Sequence, residues 1–284
     1  MRHQDEDGRL DRPAIVEVPE GLAQRMRARG PQILVGLAIL VALWLIWMVL
    51  TSIAGGSSAP SYRWDFGMVG RYMPVLLEGL VMTLQLTVVS ISLGLTLGIV
   101  VALARLSSLR IVRGPTIIFI EIMRGTPALV QLVWVYYALP IVTGIQLPVF
   151  SAVVLAFTLN LGAFYGEAFR AGIQAVPREQ VETADVLGLG YVQRMRYVVV
   201  PQATRIVLPV LISLSISLFK DTSLVSTLGV ADLMYNGRTV STATYRPLEI
   251  LTLVGAIYFM VAFPVTLLMR RVEVHFGRHQ TPTR

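Results

Sequence analysis

Long uninterrupted apolar runs constrain the fold of this chain of 284 residues more than any other feature of its sequence. The first run, residues 33–54, has 22 positions and no charged side chain. Because a helix needs about 20 mostly apolar residues to cross a bilayer, such a run fits one transmembrane helix. Five further runs cover residues 80–103, 127–145, 149–169, 206–219 and 250–269. The sequence therefore predicts an all-α membrane protein with six transmembrane helices.

The composition argues against a soluble domain and against a metal site. Hydrophobic residues make up 55% of the chain and charged residues only 14%, whereas a soluble domain has about 25% charged residues. No cysteine is present, and the three histidines, His3, His275 and His279, lie in the polar tails. Without thiolates or grouped imidazoles, we expect neither a metal site nor a bound cofactor.

The net charge of +7 follows a membrane topology and does not indicate nucleic-acid binding. Arginines cluster before the first run and after the second, fourth and sixth, whereas residues 55–74 and 140–148 carry fewer. Because cytoplasmic loops keep the positive charges, both termini are predicted to be cytoplasmic. Residues 1–31 are then a mobile cytosolic tail, residues 32–74 a retained anchor helix with its outer linker, and residues 276–284 a second cytosolic tail.

Polar side chains inside the predicted helices are candidates for a transport path. They are Gln85, Gln131, Asn160 and Ser213. Asn160 is equally suited to a hydrogen bond with a neighbouring helix, so a structural role stays open. Lys220 and Asp221, at the outer end of the fifth run, fit either an interfacial anchor with its counter-charge or a gate.

Two local patterns concern helix packing and helix breaks. Small residues recur in steps of four in the second run, at Ser90, Gly94, Gly98 and Ala102. In lipid such a stripe lets helices approach closely, and we predict that it packs within the subunit. The sequence Arg124-Gly125-Thr126-Pro127 should separate a helix at the cytosolic surface from a short crossing, because proline removes a backbone donor and an arginine is costly in lipid.

Residues 177–201 form a polar insertion between the fourth and fifth runs. The pattern predicts a first helix with one apolar face, made of Val181, Ala184 and Leu187. Gly188 allows a sharp turn, and a second short helix should follow and end at Pro201. A helix–turn–helix of this kind is suited to docking another protein, although a solvated amphipathic loop fits the pattern as well.

The same segment resembles the EAA loop of ABC importer permeases. That loop reads Glu-Ala-Ala, three residues, Gly, nine residues, Ile, any residue, Leu-Pro. Here Glu182-Thr183-Ala184 is followed at the same spacing by Gly188 and by Val198-Val199-Val200-Pro201. Further segments resemble the polar amino-acid uptake branch of that family, in the family's order: Leu77-Glu78-Gly79-Leu80, Arg124-Gly125-Thr126-Pro127, Glu167-Ala168-Phe169-Arg170-Ala171-Gly172-Ile173 and Lys220-Asp221-Thr222-Ser223-Leu224.

The resemblance covers residues 75–275 and implies a five-helix MetI-like permease core there. The first predicted span, an extra N-terminal one, lies outside the resemblance. The resemblance implies a bacterial plasma-membrane importer in which two permease subunits, identical or sister chains, enclose one path for a polar amino acid. An extracytoplasmic solute-binding protein would deliver the amino acid, and a dimer of cytosolic ABC ATPases would dock on the two EAA loops. The residues implied in coupling to the ATPase are Glu182, Ala184, Gly188 and Pro201.

The chain itself is not expected to be an enzyme. A nucleotide-binding P-loop needs a glycine-rich turn before its lysine, and the only lysine, Lys220, follows Ser217-Leu218-Phe219. An ion-gradient-driven secondary transporter is an alternative, but such proteins usually contain internal repeats, and the sequence shows no convincing one. A membrane scaffold that recruits a cytosolic enzyme would explain residues 177–201 but not the polar Gln131 and Asn160 within the spans.

Overall fold

The computed structural model describes residues 40–49, 51, 63–67 and 69–277. The chain divides into two units, Met1–Arg63 and Trp64–Arg284. In the first unit, helix α1 (Leu40–Val49) lies inside the predicted first span. The predicted N-terminal tail, the rest of that span apart from Thr51, and residues 278–284 lie outside the described residues.

The described part of the second unit is helical and contains no strand, as predicted. Its α-helices are α2 (Val69–Leu106), α3 (Arg110–Gly125), α4 (Ala128–Val133), α5 (Leu139–Thr143), α6 (Val149–Gln174), α7 (Arg178–Val186), α8 (Tyr191–Arg194), α9 (Val200–Asp221), α10 (Leu233–Thr244) and α11 (Pro247–Gly277). Two π-helical turns, Trp134–Ala138 and Met195–Val199, join α4 to α5 and α8 to α9 without a break, and a 3-10 segment, Thr222–Leu228, continues α9.

Four helices in the described part of the chain are long and apolar enough to cross a membrane. They are Gly70–Leu106, Val149–Gln174, Tyr191–Leu228 and Pro247–Met269. A fifth crossing is present if Arg110–Gly125 and Ala128–Thr143, which are bent by 110° at their junction, count as one span. Helix α1, as far as it is described, is shorter than a span.

The packing of α2 on α6 is the centre of the fold. A Cβ atom added at Gly98 of α2 would lie 2.6 Å from Cβ of Tyr165, and one added at Gly166 of α6 would lie 2.4 Å from Cγ1 of Val101. Each helix thus offers a glycine to a large side chain of the other, so the two backbones approach closely. The predicted packing of the small-residue stripe within the subunit is confirmed.

The remaining helices cover this pair. Helix α9 approaches α6 at Gly172, where an added Cβ atom would lie 2.0 Å from Cγ2 of Val207. Helix α10 packs against both α2 and α11: the side chain of Asn236 donates to the carbonyl of Val75 at 2.8 Å, and Gly237 meets Val254. The unit is therefore a helical bundle whose central pair is enclosed by α3, α9 and α10.

Candidate functional site

Helices α7 and α8 form the hairpin that the sequence predicted within residues 177–201. The turn between them closes with two backbone hydrogen bonds: the N–H of Leu189 donates to the carbonyl of Ala184 at 3.1 Å, and that of Gly188 to the carbonyl of Asp185 at 3.0 Å. This is the Schellman pattern that ends a helix at a left-handed residue. Gly188 has φ +74°, which glycine adopts without steric cost. The predicted sharp turn at Gly188 is confirmed.

Side chains hold the two arms of the hairpin together. Arg194 of α8 forms an ion pair with Asp185 of α7, and its guanidinium carbon lies 5.6 Å from the ring centroid of Tyr191. The side chain of Gln193 accepts a hydrogen bond from the N–H of Gly190 at 3.1 Å, which satisfies a free donor at the start of α8. Contacts from both arms of the hairpin therefore hold the turn in one conformation.

The hairpin has a buried face and an exposed tip. Ala184 is 2% exposed, and Val181 packs against the buried cluster of Val176, Val199 and Ala203. The tip carries four strongly exposed apolar side chains, Val186, Leu187, Tyr191 and Val192, which we call the tip patch. Leu187 was expected on the same face as Ala184, but it is 73% exposed because α7 ends before it and the chain turns away.

Pro201 does not end a helix, which corrects the sequence prediction. Helices α8 and α9 and the π-helical turn Met195–Val199 between them form one continuous helix, and the exposed Pro201 lies in the first turn of α9. Proline cannot donate to the carbonyl four residues before it, and the wider π-helical turn next to it accommodates the missing bond. Glu182, on α7, is exposed.

Two of the predicted path residues meet at the break between α3 and α4. The amide nitrogen of Gln131 donates to the carbonyl of Met123 at 2.8 Å and to that of Thr126 at 3.2 Å, and the amide nitrogen of Asn160 donates to Oε1 of Gln131 at 3.0 Å. These bonds satisfy carbonyls left free where the helix breaks. The structural role that was left open for Asn160 is therefore present, and the predicted break at Gly125-Thr126-Pro127 is confirmed.

The other predicted path residues lie elsewhere. Gln85 on α2 is exposed, and Asp221 is half-buried at the end of α9. Ser213 and Lys220 are both exposed and lie seven positions apart on one side of α9. The structure therefore brings only Gln131 and Asn160 into direct contact among the predicted path residues.

Sequence reasoning missed an open groove of about 710 Å³ beside α10, which we call the α10 groove. Its lining side chains come from the 3-10 segment and from α10: Ser226, Thr227, Tyr235, Arg238, Thr239, Thr242 and Ala243. Asp232 caps α10 by accepting a hydrogen bond from the N–H of Tyr235 at 2.8 Å. An aspartate directly before a helix is an N-terminal signal that would have identified α10 from the sequence.

Asp232 is a fully buried acid in a loop of the described part of the chain. It lies in the loop before α10, outside the spanning helices. Its Oδ2 lies 3.4 Å from the hydroxyl of Tyr258 on α11. Burial raises the pKa of Asp232 to about 6, although hydrogen bonds from backbone N–H groups partly offset this. The group therefore ties the start of α10 to α11 and is sensitive to acidic pH.

Comparison with known proteins identifies the family. The model of the family "binding-protein-dependent transport system inner membrane component" matches residues 94–277. The chain is 36% identical to the arginine transport system permease protein ArtQ of Bacillus subtilis (strain 168), over 74% of this chain and 95% of that one. It is 32% identical to the glutamine transport system permease protein GlnP of Escherichia coli (strain K12), over 74% of this chain and 97% of that one.

A solved structure agrees with this result. The crystal structure of an amino acid ABC transporter with histidines contains a chain that superposes with a TM-score of 0.71 at 36% identity. The superposition covers 75% of this chain and 100% of that one. The chain therefore belongs to the family of binding-protein-dependent transport system inner membrane components.

Proposed function

We propose that this chain is the membrane-spanning permease subunit of an ATP-driven importer for polar amino acids, and that residues 177–201 dock its cytosolic ATPase. Family membership supports the permease role, and the relatives are transport subunits rather than enzymes. ATP hydrolysis then belongs to a separate partner chain. The further proposals concern the docking surface, the assembly and the substrate.

The tip patch is the observation that carries the docking proposal. Leu187 and Val192 are 73% and 74% exposed, on either side of a turn that is fixed by hydrogen bonds and an ion pair. Exposed apolar side chains on a polar, ordered hairpin are typical of a protein contact. Glu182 lies one helical turn before Val186 on α7, so its carboxylate borders the patch. Ala184 and Pro201 act by shaping the hairpin rather than by contact.

The proposed assembly contains a second permease subunit, identical or a sister chain, a dimer of ABC ATPases and an extracytoplasmic solute-binding protein. The permease core covers residues 75–275. We further propose that residues 32–74 add a sixth span and its outer linker, and that residues 1–31 and 276–284 are cytosolic. The arginine distribution supports this orientation in the bacterial plasma membrane.

The substrate proposal is limited to a class. The relatives named for arginine and for glutamine are 36% and 32% identical to this chain, so identity alone does not select one amino acid. Both are polar amino acids, which supports that class. Gln85, Ser213, Lys220 and Asp221, together with the Gln131–Asn160 pair, remain the proposed path or gate residues.

Co-purification in detergent with the ATPase encoded nearest to this chain tests the docking proposal. We expect the wild-type chain to capture the ATPase, and Glu182→Arg and Val192→Asp to weaken capture while inserting normally. The control is Tyr245→Asp, because Tyr245 is an 88% exposed aromatic outside the hairpin at φ 55°, a conformation that aspartate tolerates. Capture by the two hairpin variants at the wild-type level would refute docking there. If no ATPase associates and the reconstituted chain alone moves amino acids down an ion gradient, it is a secondary transporter.

A further inference from the structure

Helix α3 presents three faces with different surroundings. Its buried face packs on α2 and α6 through Ile120, which is 2% exposed. A second face consists of Ile111, Ile118 and Ile122, which are 83%, 61% and 52% exposed. At about 100° per residue, these three side chains lie within about 40° of one another around the helix, and we call them the isoleucine strip. The described part of the chain leaves this strip uncovered.

The third face of α3 is charged. It carries Arg110, Arg113, Glu121 and Arg124, which are all exposed and lie within about 80° of the helix circumference. The centre of this charged face is about 120° from the centre of the isoleucine strip. Protein, an apolar medium and a polar surface can therefore each meet one face of α3. This is the arrangement of a helix that lies in a membrane interface.

The break after α3 sets the direction of this helix in the membrane. The segments Arg110–Gly125 and Ala128–Thr143 are bent by 110° at their junction. If Ala128–Thr143 crosses the membrane, α3 lies closer to the membrane plane than to the membrane normal. In that orientation the isoleucine strip can enter the acyl chains while the charged face stays among the headgroups. In the proposed topology this is the cytoplasmic surface of the membrane.

Arg110 and Arg113 are the charges of α3 that no acid of this helix neutralises. Both are exposed, and the ion pairs found in the described part of the chain involve other arginines. Glu121 lies eight positions beyond Arg113, about 12 Å along the helix axis. The first turn of α3 contains no acid, and the helix dipole is positive there. Arg124, by contrast, lies with its guanidinium carbon 5.6 Å from the ring centroid of Phe164.

The charge pair and the isoleucine strip together select a class of ligand. A soluble anion would satisfy the two arginines but would leave the strip uncovered. A zwitterionic lipid would cover the strip, but its ammonium group would compete with the arginines for its phosphate. An anionic phospholipid covers the strip with its acyl chains. Its phosphate accepts charge-assisted hydrogen bonds from guanidinium groups, and its net negative charge is attracted to a basic segment.

We propose that α3 binds an anionic phospholipid, with Arg110 and Arg113 on the headgroup phosphate and the isoleucine strip against the acyl chains. This inference goes beyond the proposed import function and does not depend on it. Because α3 leads into the break at Gly125-Thr126-Pro127, the bound lipid lies on the segment that joins α2 to that break. The composition of the membrane then acts on the permease core from its surface.

The test measures which lipid lies next to α3 in the full chain. The sequence contains no cysteine, so Ile118→Cys provides a single attachment point for a fluorophore on the isoleucine strip. The labelled chain is reconstituted into bilayers of phosphatidylcholine and phosphatidylglycerol. A nitroxide quencher is carried on the acyl chain of one lipid or the other, at equal mole fraction. The ratio of the two quenching efficiencies reports the local preference for the anionic lipid.

We expect both lipids to quench the fluorophore, with phosphatidylglycerol preferred on the order of tenfold or more, since each arginine near an anionic headgroup contributes about fivefold. The double variant Arg110→Gln and Arg113→Gln should lose this preference while both lipids still quench. The double variant Arg110→Lys and Arg113→Lys keeps the charges and should keep most of the preference. The control, Arg71→Gln with Arg238→Gln, removes the same charge from exposed positions elsewhere and should behave like the wild type.

Four results would overturn the inference. Absence of quenching by either lipid would show that protein covers the isoleucine strip. Equal quenching by both lipids in the wild type would show that the site does not select charge. A wild-type preference in the double glutamine variant would show that the two arginines do not bind the headgroup. Loss of the preference in inorganic phosphate, but not in chloride of the same ionic strength, would show that the arginines bind a free anion. Each of these results leaves the proposed import function standing, because the assay measures no transport.

Discussion

Replacement of Gly188 by alanine tests whether the hairpin that we propose to dock the ATPase depends on its left-handed turn. Gly188 has φ +74°, and a Cβ atom added there would meet nothing within 4 Å. The substitution therefore adds no clash, and its cost is the backbone strain of an L-residue in the left-handed region, about 1–2 kcal/mol. Gly190→Ala is the matched control, because Gly190 has φ −65° and its added Cβ would meet only Oε1 of Gln193 at 3.9 Å.

The strain acts on the two hydrogen bonds that close the turn, from Leu189 to Ala184 and from Gly188 to Asp185. A cost of about 1–2 kcal/mol raises the open population of the turn by a factor of about 5–30. Hydrogen–deuterium exchange of a peptide over residues 184–194 in the purified transporter measures this opening. We expect faster exchange by about that factor in Gly188→Ala and wild-type exchange in Gly190→Ala.

Capture of the ATPase should weaken in parallel, because an equilibrium that opens the turn reduces the docking-competent fraction. Two results would refute this reasoning at different steps. Equal exchange in the two variants would show that the left-handed strain is absorbed elsewhere. Faster exchange in Gly188→Ala with wild-type capture would show that docking does not require the closed turn.

Two further substitutions test the bundle itself. Gly98→Ala places a Cβ atom 2.6 Å from Cβ of Tyr165, which should cost about 1–3 kcal/mol and lower the thermal midpoint in detergent. Gly70→Ala is the control, because its added Cβ meets no atom within 4 Å and should leave the midpoint unchanged. Equal midpoints in the two variants would contradict the close approach of α2 and α6. Asp232→Asn keeps an acceptor for the N–H of Tyr235 but removes the buried charge. Because the pKa of Asp232 in the folded state, about 6, lies above the usual value, ionisation of Asp232 lowers wild-type stability by about 2–3 kcal/mol as the pH rises from about 4 to 6. This part of the pH dependence should be missing in the variant. Identical profiles of the thermal midpoint against pH would contradict the prediction.

Four of the six predicted spans coincide with long apolar helices because lipid imposes a simple length rule, but the ends of these helices were not predictable. The run at residues 80–103 lies inside a helix that spans Gly70–Leu106, and the run at 206–219 lies inside one that spans Tyr191–Leu228. Bilayer thickness limits the apolar part of a helix and says nothing of how far the helix continues beyond it. The prediction that a helix ends at Pro201 was wrong because the π-helical turn beside Pro201 lets the helix continue.

The two candidate sites differ in how clearly a residue pattern defines them. The turn at Gly188 was predictable because a single residue with positive φ and its spacing from Glu182 define it. The α10 groove was not, although its lining lies within residues 226–243, because its shape depends on the angle between the 3-10 segment and α10, which no residue pattern specifies. The contact of Gln131 with Asn160 was missed because 29 positions separate the two residues.

One helix connects the proposed docking hairpin to the α10 groove. Tyr191 of the tip patch opens it, Ser226 and Thr227 of the groove lie near its end, and its 38 residues correspond to about 57 Å at about 1.5 Å per residue. It packs against α6 near its midpoint, where Val207 fills the space left by Gly172. If this helix tilts as a rigid body about that midpoint, a tilt of about 10° would move each end by about 5 Å. That displacement exceeds the reach of a hydrogen bond, so if an ATPase moves the hairpin as we propose, the groove wall at Ser226 and Thr227 would shift relative to α10.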